Sequence, residues 1–227
     1  MKKAISYFSR GEWALWGVST GLLLLSFLIF DRTNWLTLAA SLIGITSLIL
    51  NAKGNPIGQA LMILFSLLYG WISWTFAYYG EMITYLGMTM PMAVVALVSW
   101  LRHPYKGNRA EVQVDRLAKG EWLPAGLLTA AVTVLFFFIL RAFHTANLHL
   151  STLSVTTSFA AVYLTFRRNP WYAVAYAAND AVLIVLWLLA AGEDPSYCSV
   201  AVCFAAFLVN DLYGFFNWRR MSRRQQG

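Results

Sequence analysis

Apolar residues along this chain come in long blocks, separated by short polar, turn-rich breaks: "DRTN", "NAKGNP", "YGE", "RRNP" and "GEDP". A helix needs about 20 apolar residues to cross a bilayer. Eight blocks approach that length: Trp13–Phe30, Trp35–Leu50, Ile57–Tyr79, Met82–Leu101, Leu123–Leu140, Leu148–Phe166, Pro170–Ala191 and Ser196–Trp218. The pattern predicts an all-α integral membrane protein with eight transmembrane helices. The one long break, from Arg102 to Trp122, reads as a surface loop with room for a short amphipathic helix. No soluble domain is expected.

Composition agrees. Of 227 residues, 59% are hydrophobic and only 12% charged, against about a quarter charged in a soluble domain; the mean hydropathy is +0.58. The two cysteines, Cys198 and Cys203, lie five apart in one apolar block, on different sides of a helix, and read as small core residues. The first block follows Lys2, Lys3 and Arg10 and could open a signal peptide. Its end, "LSFLIFDRTN", has no small-x-small cleavage site, so it reads as a retained helix.

The net charge of +7 raises the question of nucleic acid, which the placement of the charges answers. With the N-terminus in the cytoplasm and eight spans threaded, 15 of the 17 Lys and Arg fall on the cytoplasmic side; only Arg32 and Arg141 lie outside. Asp31, Glu81, Glu193 and Asp194 fall in the outer loops. This is the positive-inside pattern, with both termini cytoplasmic and some attraction to anionic lipid. It leaves no reason to expect nucleic acid. Tryptophans at block ends, among them Trp13, Trp35, Trp100, Trp122, Trp171 and Trp218, suit interfacial belts.

A weak internal repeat follows. "KGNPIGQALMI" from residue 53 resembles "RRNPWYAVAYA" from residue 167. Each Asn-Pro follows one span and precedes two more, and each trio ends in Trp with a basic residue close behind, at Trp100 and Trp218. Residues 1–31 then hold an extra helix, 32–101 a first three-helix unit, 102–147 the loop and a linker helix, 148–220 a second unit and 221–227 a basic tail. One linking span makes the two units parallel, a 3+1+3 plan as in SWEET transporters, which predicts a site between the units near the midplane.

The polar residues within spans are the candidates for that site. Asp180 is the eleventh residue of a 22-residue block, where a carboxylate costs about 2.5–3.5 kcal/mol on insertion scales. Tyr176, Asp180 and Trp187 share its helical face, and Asn179 is adjacent. The pair returns as Asn210–Asp211 on the last span, with Tyr213 and Gly214 close by. The two pairs read as walls of one polar passage at two depths, with Asp211 nearer the cytoplasm. Gln59, Ser66, Tyr69 and Ser73 form a polar stripe on the third span, with Trp71 and Trp74 near it, and Tyr85, Thr89 and Pro91 lie in the outer half of the fourth. Many single Ser and Tyr residues in membrane helices merely glue helices together, and Asn179 fits a cross-helix hydrogen bond as well as a ligand contact. His103, His144 and His149 lack metal-ligand spacing, and no cofactor is expected. Aromatic faces attract cations and stack flat rings, while Asn, Gln and Asp bind hydroxyls and amides. Together they suit a small, flat, cationic ligand with a polyhydroxylated part, such as a nucleoside.

The stretches "GNPIGQALMILFSLLYGWISWTFAYYGEMITYLGMTMPMAVVALVSW", "AYAANDAVLIVLW" and "VNDLYGFFNW" resemble the PnuC-type nicotinamide riboside transporters of bacteria, over most of the chain from Trp35 to Arg220. The resemblance implies a SWEET-like 3+1+3 fold, a homotrimer in the bacterial cytoplasmic membrane, and facilitated diffusion of nicotinamide riboside, a vitamin B3 nucleoside, trapped by a cytoplasmic kinase for NAD biosynthesis. Relatives carry thiamine, riboflavin or deoxynucleosides, so these remain alternatives. Asn179, Asp180 and Asn210 are expected to hold amide and ribose hydroxyls, and Trp187 with nearby aromatics to stack the ring. The chain has no G-x-x-x-x-G-K-[ST] motif for direct ATP coupling; Asp180 carrying a proton in symport is the other coupling to test. An intramembrane enzyme using Asp180 and Asp211 as paired acids is disfavoured, because no metal or phosphate motif accompanies them.

Overall fold

The computed structural model of the protein describes residues 7–75 and 79–227. Lys2 and Lys3 of the basic count, and residues 76–78 in the third predicted span, lie outside them. Among the described residues the chain forms eight long helices: α1 (Arg10–Phe30), α2 (Trp35–Ala52), α3 (Pro56–Thr75), α4 (Tyr79–Arg102), α5 (Trp122–Ala142), α6 (Leu148–Phe166), α7 (Tyr172–Ala191) and α8 (Cys198–Gln226). All but α6 are long and apolar enough to cross a membrane. Seven of the 19 residues of α6 are Ser or Thr, and Ser151, Ser154 and Ser158 are buried against its neighbours. Its polarity is turned into the bundle.

Local chemistry sets the helix ends. Ser9 and Glu12 close a reciprocal capping box at the start of α1, which satisfies two otherwise orphaned N–H groups. Asn34 caps α2 through the Thr37 N–H. The middle of α4 widens into a π-turn over Tyr85–Thr89. Pro91 lacks an N–H and crowds the carbonyl four residues back, so the ladder slips one residue N-terminal to it.

The trio α2–α3–α4 and the trio α6–α7–α8 close on each other reciprocally. The third helix of each packs on the first of the other, α4 on α6 and α8 on α2. Helix α5 lies against α6, and α1 against α2 and α8. The two Asn-Pro turns have the same build. Gly54 and Arg168 take left-handed φ values of 67° and 55°. The Asn55 and Asn169 N–H groups return to the Leu50 and Leu164 carbonyls at 3.0 and 2.9 Å, and each Oδ1 accepts the N–H two residues on, at 3.0 Å. Gly54 needs its freedom twice: a Cβ there would also sit 2.8 Å from Met221 Cε.

The long break is not an amphipathic helix. It folds into a hairpin, β1 (Pro104–Tyr105) with β2 (Asn108–Val112), followed only by a single 3-10 turn at Lys119–Glu121. Lys106 and Gly107 both have positive φ, the requirement of a tight type I′ hairpin turn. The end of β2 and the segment after it then cross both Asn-Pro turns. Val112 N–H donates to the Gly54 carbonyl at 2.9 Å and Asp115 N–H to the Arg168 carbonyl at 3.0 Å. Between them, Val114 N–H donates to Gln225 Oε1 at 2.7 Å, from the end of α8. Asp115 also faces Arg167 and Arg168. Burial pushes the Arg168 guanidinium down from its ordinary value, and the Asp115 carboxylate opposes this. The end of the bundle that carries this strand is called the basic end below.

Candidate transport site

Helix α7 turns Asp180 and Trp187 into the bundle, 3% and 5% exposed, because they lie seven residues, or two turns, apart. Asp211 arrives from α8, buried like Asp180 and close enough for the two carboxyls to act on each other. The two expected depths lie close together, with Asp211 the farther from the α7–α8 turn. α7 and α8 run antiparallel; Asp180 lies 11 residues before Ala191 and Asp211 lies 13 after Cys198, a difference of about 3 Å at the helical rise. Tyr176, half-buried, is within electrostatic reach of both carboxyls. A hydrogen bond between two carboxyls needs a shared proton, since an ionised carboxylate only accepts.

An aromatic wall stands over this pair. Tyr69 from α3 and Tyr85 from the π-turn lie 4.4 Å apart by ring centroid. Phe65, Phe204 and Trp187 surround Tyr69 at 5.5, 6.0 and 6.4 Å. Trp187 stacks onward to Tyr197 at 5.5 Å. Tyr85 and Cys203 are in electrostatic contact with Asp180, which joins wall and acid pair. Trp187 separates two cavities at the end opposite the basic one. A narrow one of about 30 Å³ is lined by Phe65, Tyr69, Cys203 and Phe204. A wider one of about 250 Å³ is lined by Glu81, His144, Asn147, Ser151 and Glu193.

Several buried polar atoms lack a partner within the protein: Asp180 Oδ2, Ser66 Oγ, Ser73 Oγ, Thr89 Oγ1 and Asn210 Oδ1. Such groups are rare in native interiors and costly where no water competes. Ser66 and Ser73 lie two turns apart on the buried stripe of α3. No Lys or Arg is among the residues of the acid pair, the aromatic wall or these orphaned groups.

Other expected site residues are engaged elsewhere. Asn179 Oδ1 accepts from Ser154 and Thr157 of α6, at 3.2 and 3.0 Å, so it stitches α7 to α6. Asn210 Nδ2 donates to Ser19 of α1 at 2.9 Å. Gln59 donates to Asn51 Oδ1 at 2.9 Å, in a network with Ser47 that packs α2 on α3. Gly58 admits it, since a Cβ there would fall 2.2 Å from Asn51 Oδ1. Tyr213 donates to Glu12 Oε1 at 2.8 Å, and Glu12 pairs with Lys53 at 3.0 Å, near the basic end. Trp71 and Trp74 do not join the site. They are 54% and 50% exposed and pack edge-on against each other, because they lie about 80–140° around α3 from the Ser66–Ser73 stripe at 100° per residue.

A family model described as nicotinamide mononucleotide transporter matches residues 34–220. The chain belongs to that family. Among its relatives, the nicotinamide riboside transporter PnuC of Neisseria mucosa is 26% identical over 203 residues, covering 88% of this chain and 77% of the relative. That of Haemophilus influenzae is 24% identical over 192 residues, covering 84% and 82%. A crystal structure of the vitamin B3 transporter PnuC has the same fold, with a TM-score of 0.84 at 23% identity over 96% of this chain and 94% of that one. As a member of the nicotinamide mononucleotide transporter family, the chain is a multi-pass membrane transporter and not an enzyme.

Within this family member, the fold adds Phe65, Phe204 and Cys203 to the site, and gives Tyr85 a larger place than its position in the sequence suggested. Phe65, Phe204 and Cys203 read as ordinary core residues because nothing polar marks them. Pro91 was the available signal for Tyr85, as the cause of the turn that swings it inward.

Proposed function

We propose that this protein carries nicotinamide riboside across the bacterial cytoplasmic membrane by facilitated diffusion. The observation that carries the choice of substrate is the acid pair Asp180–Asp211 beside aromatic rings, with no Lys or Arg among these residues. A riboside with a cationic pyridinium ring matches a carboxylate and aromatic faces. A mononucleotide would bring a phosphate toward two carboxyls with no Arg or Lys to receive it. The family description names the mononucleotide and the two relatives name the riboside; the site chemistry favours the riboside.

The two trios form parallel units at 32–101 and 148–220, linked by α5, with 1–31 an added helix and 221–227 a tail. They rock about the midplane site and open it alternately to each side. Support comes from the reciprocal packing of α4 on α6 and α8 on α2 and from the matched Asn-Pro turns. The basic end faces the cytoplasm, with both termini, by the positive-inside pattern. The protein assembles as a homotrimer, and phosphorylation of the riboside by a cytoplasmic kinase keeps transport inward. A second reading, proton-coupled symport, is favoured by the closeness of Asp180 and Asp211, two buried carboxyls that a shared proton would join. Uptake into proteoliposomes separates these. Facilitated diffusion predicts that labelled riboside equilibrates without accumulating, with or without a pH gradient, and that mononucleotide is excluded. Gradient-driven accumulation would establish symport instead, and preferential uptake of mononucleotide would overturn the choice of substrate.

A further inference from the structure

At the basic end, a cleft of about 330 Å³ opens between the loop that leads to α5, the second Asn-Pro turn and the last turns of α8. Arg116, Arg219 and Arg223 line it, with Ser222 between the last two and Trp122 and Trp171 at its edge. Arg219 and Arg223 are four residues apart and so share a helix face. No Asp or Glu is in the lining.

The carboxylates at this end are already taken. Glu12 pairs with Lys53, Glu111 with Arg224, Asp115 with Arg167 and Arg168, and Glu121 with Arg167. Among the described residues, Arg116, Arg219 and Arg223 make no ion pair. Arg116 Nε reaches Ser222 Oγ at 3.4 Å, and the Arg219 guanidinium rests 5.5 Å over the Phe215 ring. Both contacts leave guanidinium N–H groups free. Three forked donors converging on one cleft match the oxygens of a phosphate group, which guanidinium binds bidentately. Trp122 and Trp171 are half-exposed, as expected of residues at the membrane interface.

We infer that this cleft binds a phosphate group, carried either by an anionic phospholipid or by a soluble phosphate ester. Lipid and ester present the same oxygens to the arginines; the interfacial tryptophans put the cleft within reach of both.

The test uses the full chain in detergent, with thermal unfolding followed against short-chain phosphatidylglycerol, short-chain phosphatidylcholine and glycerol 3-phosphate, each at ionic strength matched by sodium chloride. A ligand of the folded state raises its apparent stability. Saturable stabilisation by phosphatidylglycerol but not phosphatidylcholine assigns the cleft to anionic lipid. Stabilisation by glycerol 3-phosphate alone assigns it to a soluble ester. In either case the double variant Arg219→Gln/Arg223→Gln weakens the apparent affinity about tenfold or more, and Arg219→Lys/Arg223→Lys less. Should the double variant not fold, Arg116→Gln, which lies outside the helices, serves in its place and weakens affinity in the same sense. Stabilisation no greater than that of chloride, or equal stabilisation of wild type and Gln variants, overturns the inference.

Discussion

Trp100, two residues from the end of α4, and Trp218, eight from the end of α8, lie 5.4 Å apart by ring centroid and are fully buried. Each donates its indole N–H into the other trio: Trp100 to the Thr165 carbonyl at 2.9 Å, Trp218 to the Asn51 carbonyl at 2.8 Å. Both acceptors stand four residues before an Asn-Pro turn, Asn169 and Asn55. The two rings thus meet where the trios cross, and each anchors the first helix of the opposite trio.

That reciprocity predicts matched costs. Trp100→Phe and Trp218→Phe each remove one donor from a buried carbonyl that keeps a turn N–H, and should destabilise by about 0.5–1.5 kcal/mol, the net worth of one hydrogen bond, by similar amounts. Thermal unfolding in detergent measures both. A loss confined to one variant would show that only one of the two anchors carries load.

Asp180→Asn should weaken binding of the cationic riboside by roughly tenfold or more, the scale of a hydrogen bond to a charged group. The uncharged dihydro form of the same riboside should lose much less. Binding titrations with both ligands check this, and equal losses would assign Asp180 to hydrogen bonding without a charge contribution.

Trp187→Ala should cost about tenfold or more in riboside affinity, because it removes the partition between the two cavities and a stacking face. Trp71→Ala and Trp74→Ala, whose rings point outward, should stay within about twofold. The same titration compares all three, and a large loss at Trp71 or Trp74 would mean that the outer face of α3 contributes.

Glu12 is buried and takes hydrogen bonds from Lys53 and Tyr213. Glu12→Ala strands the Lys53 ammonium and should destabilise by about 3 kcal/mol, while Glu12→Met with Lys53→Met should recover much of it. Unfolding midpoints of the single and double variants decide.

The spans were legible in the chain because a bilayer imposes a length and a polarity on each helix. Block boundaries for α6 and α7 fell within two residues of the helices. That Asp180, Trp187, Ser66 and Tyr69 turn inward was legible, because each lies on the polar or aromatic stripe of its helix. What the chain does not show is partners. Asn179, Gln59 and Asn210 bond to Ser154, Asn51 and Ser19 across helices, and no local pattern names those partners. The separation in depth is smaller than expected, because α8 runs on to Gln226, past the Trp218 that marked its predicted end. The hairpin failed because a Lys-Gly turn signal is short and the surrounding charges look equally at home on a helix.

The segment from Val112 to Asp115 is bonded to both trios at once. Its amides at Val112 and Asp115 donate to the corresponding carbonyl of each Asn-Pro turn, so one amide reports on each trio. An amide proton trades with solvent deuterium only when its bond opens. The two sites therefore form a built-in pair of clocks. Matched exchange rates would mean that the basic end parts as one event, and unmatched rates would name the trio that lets go first.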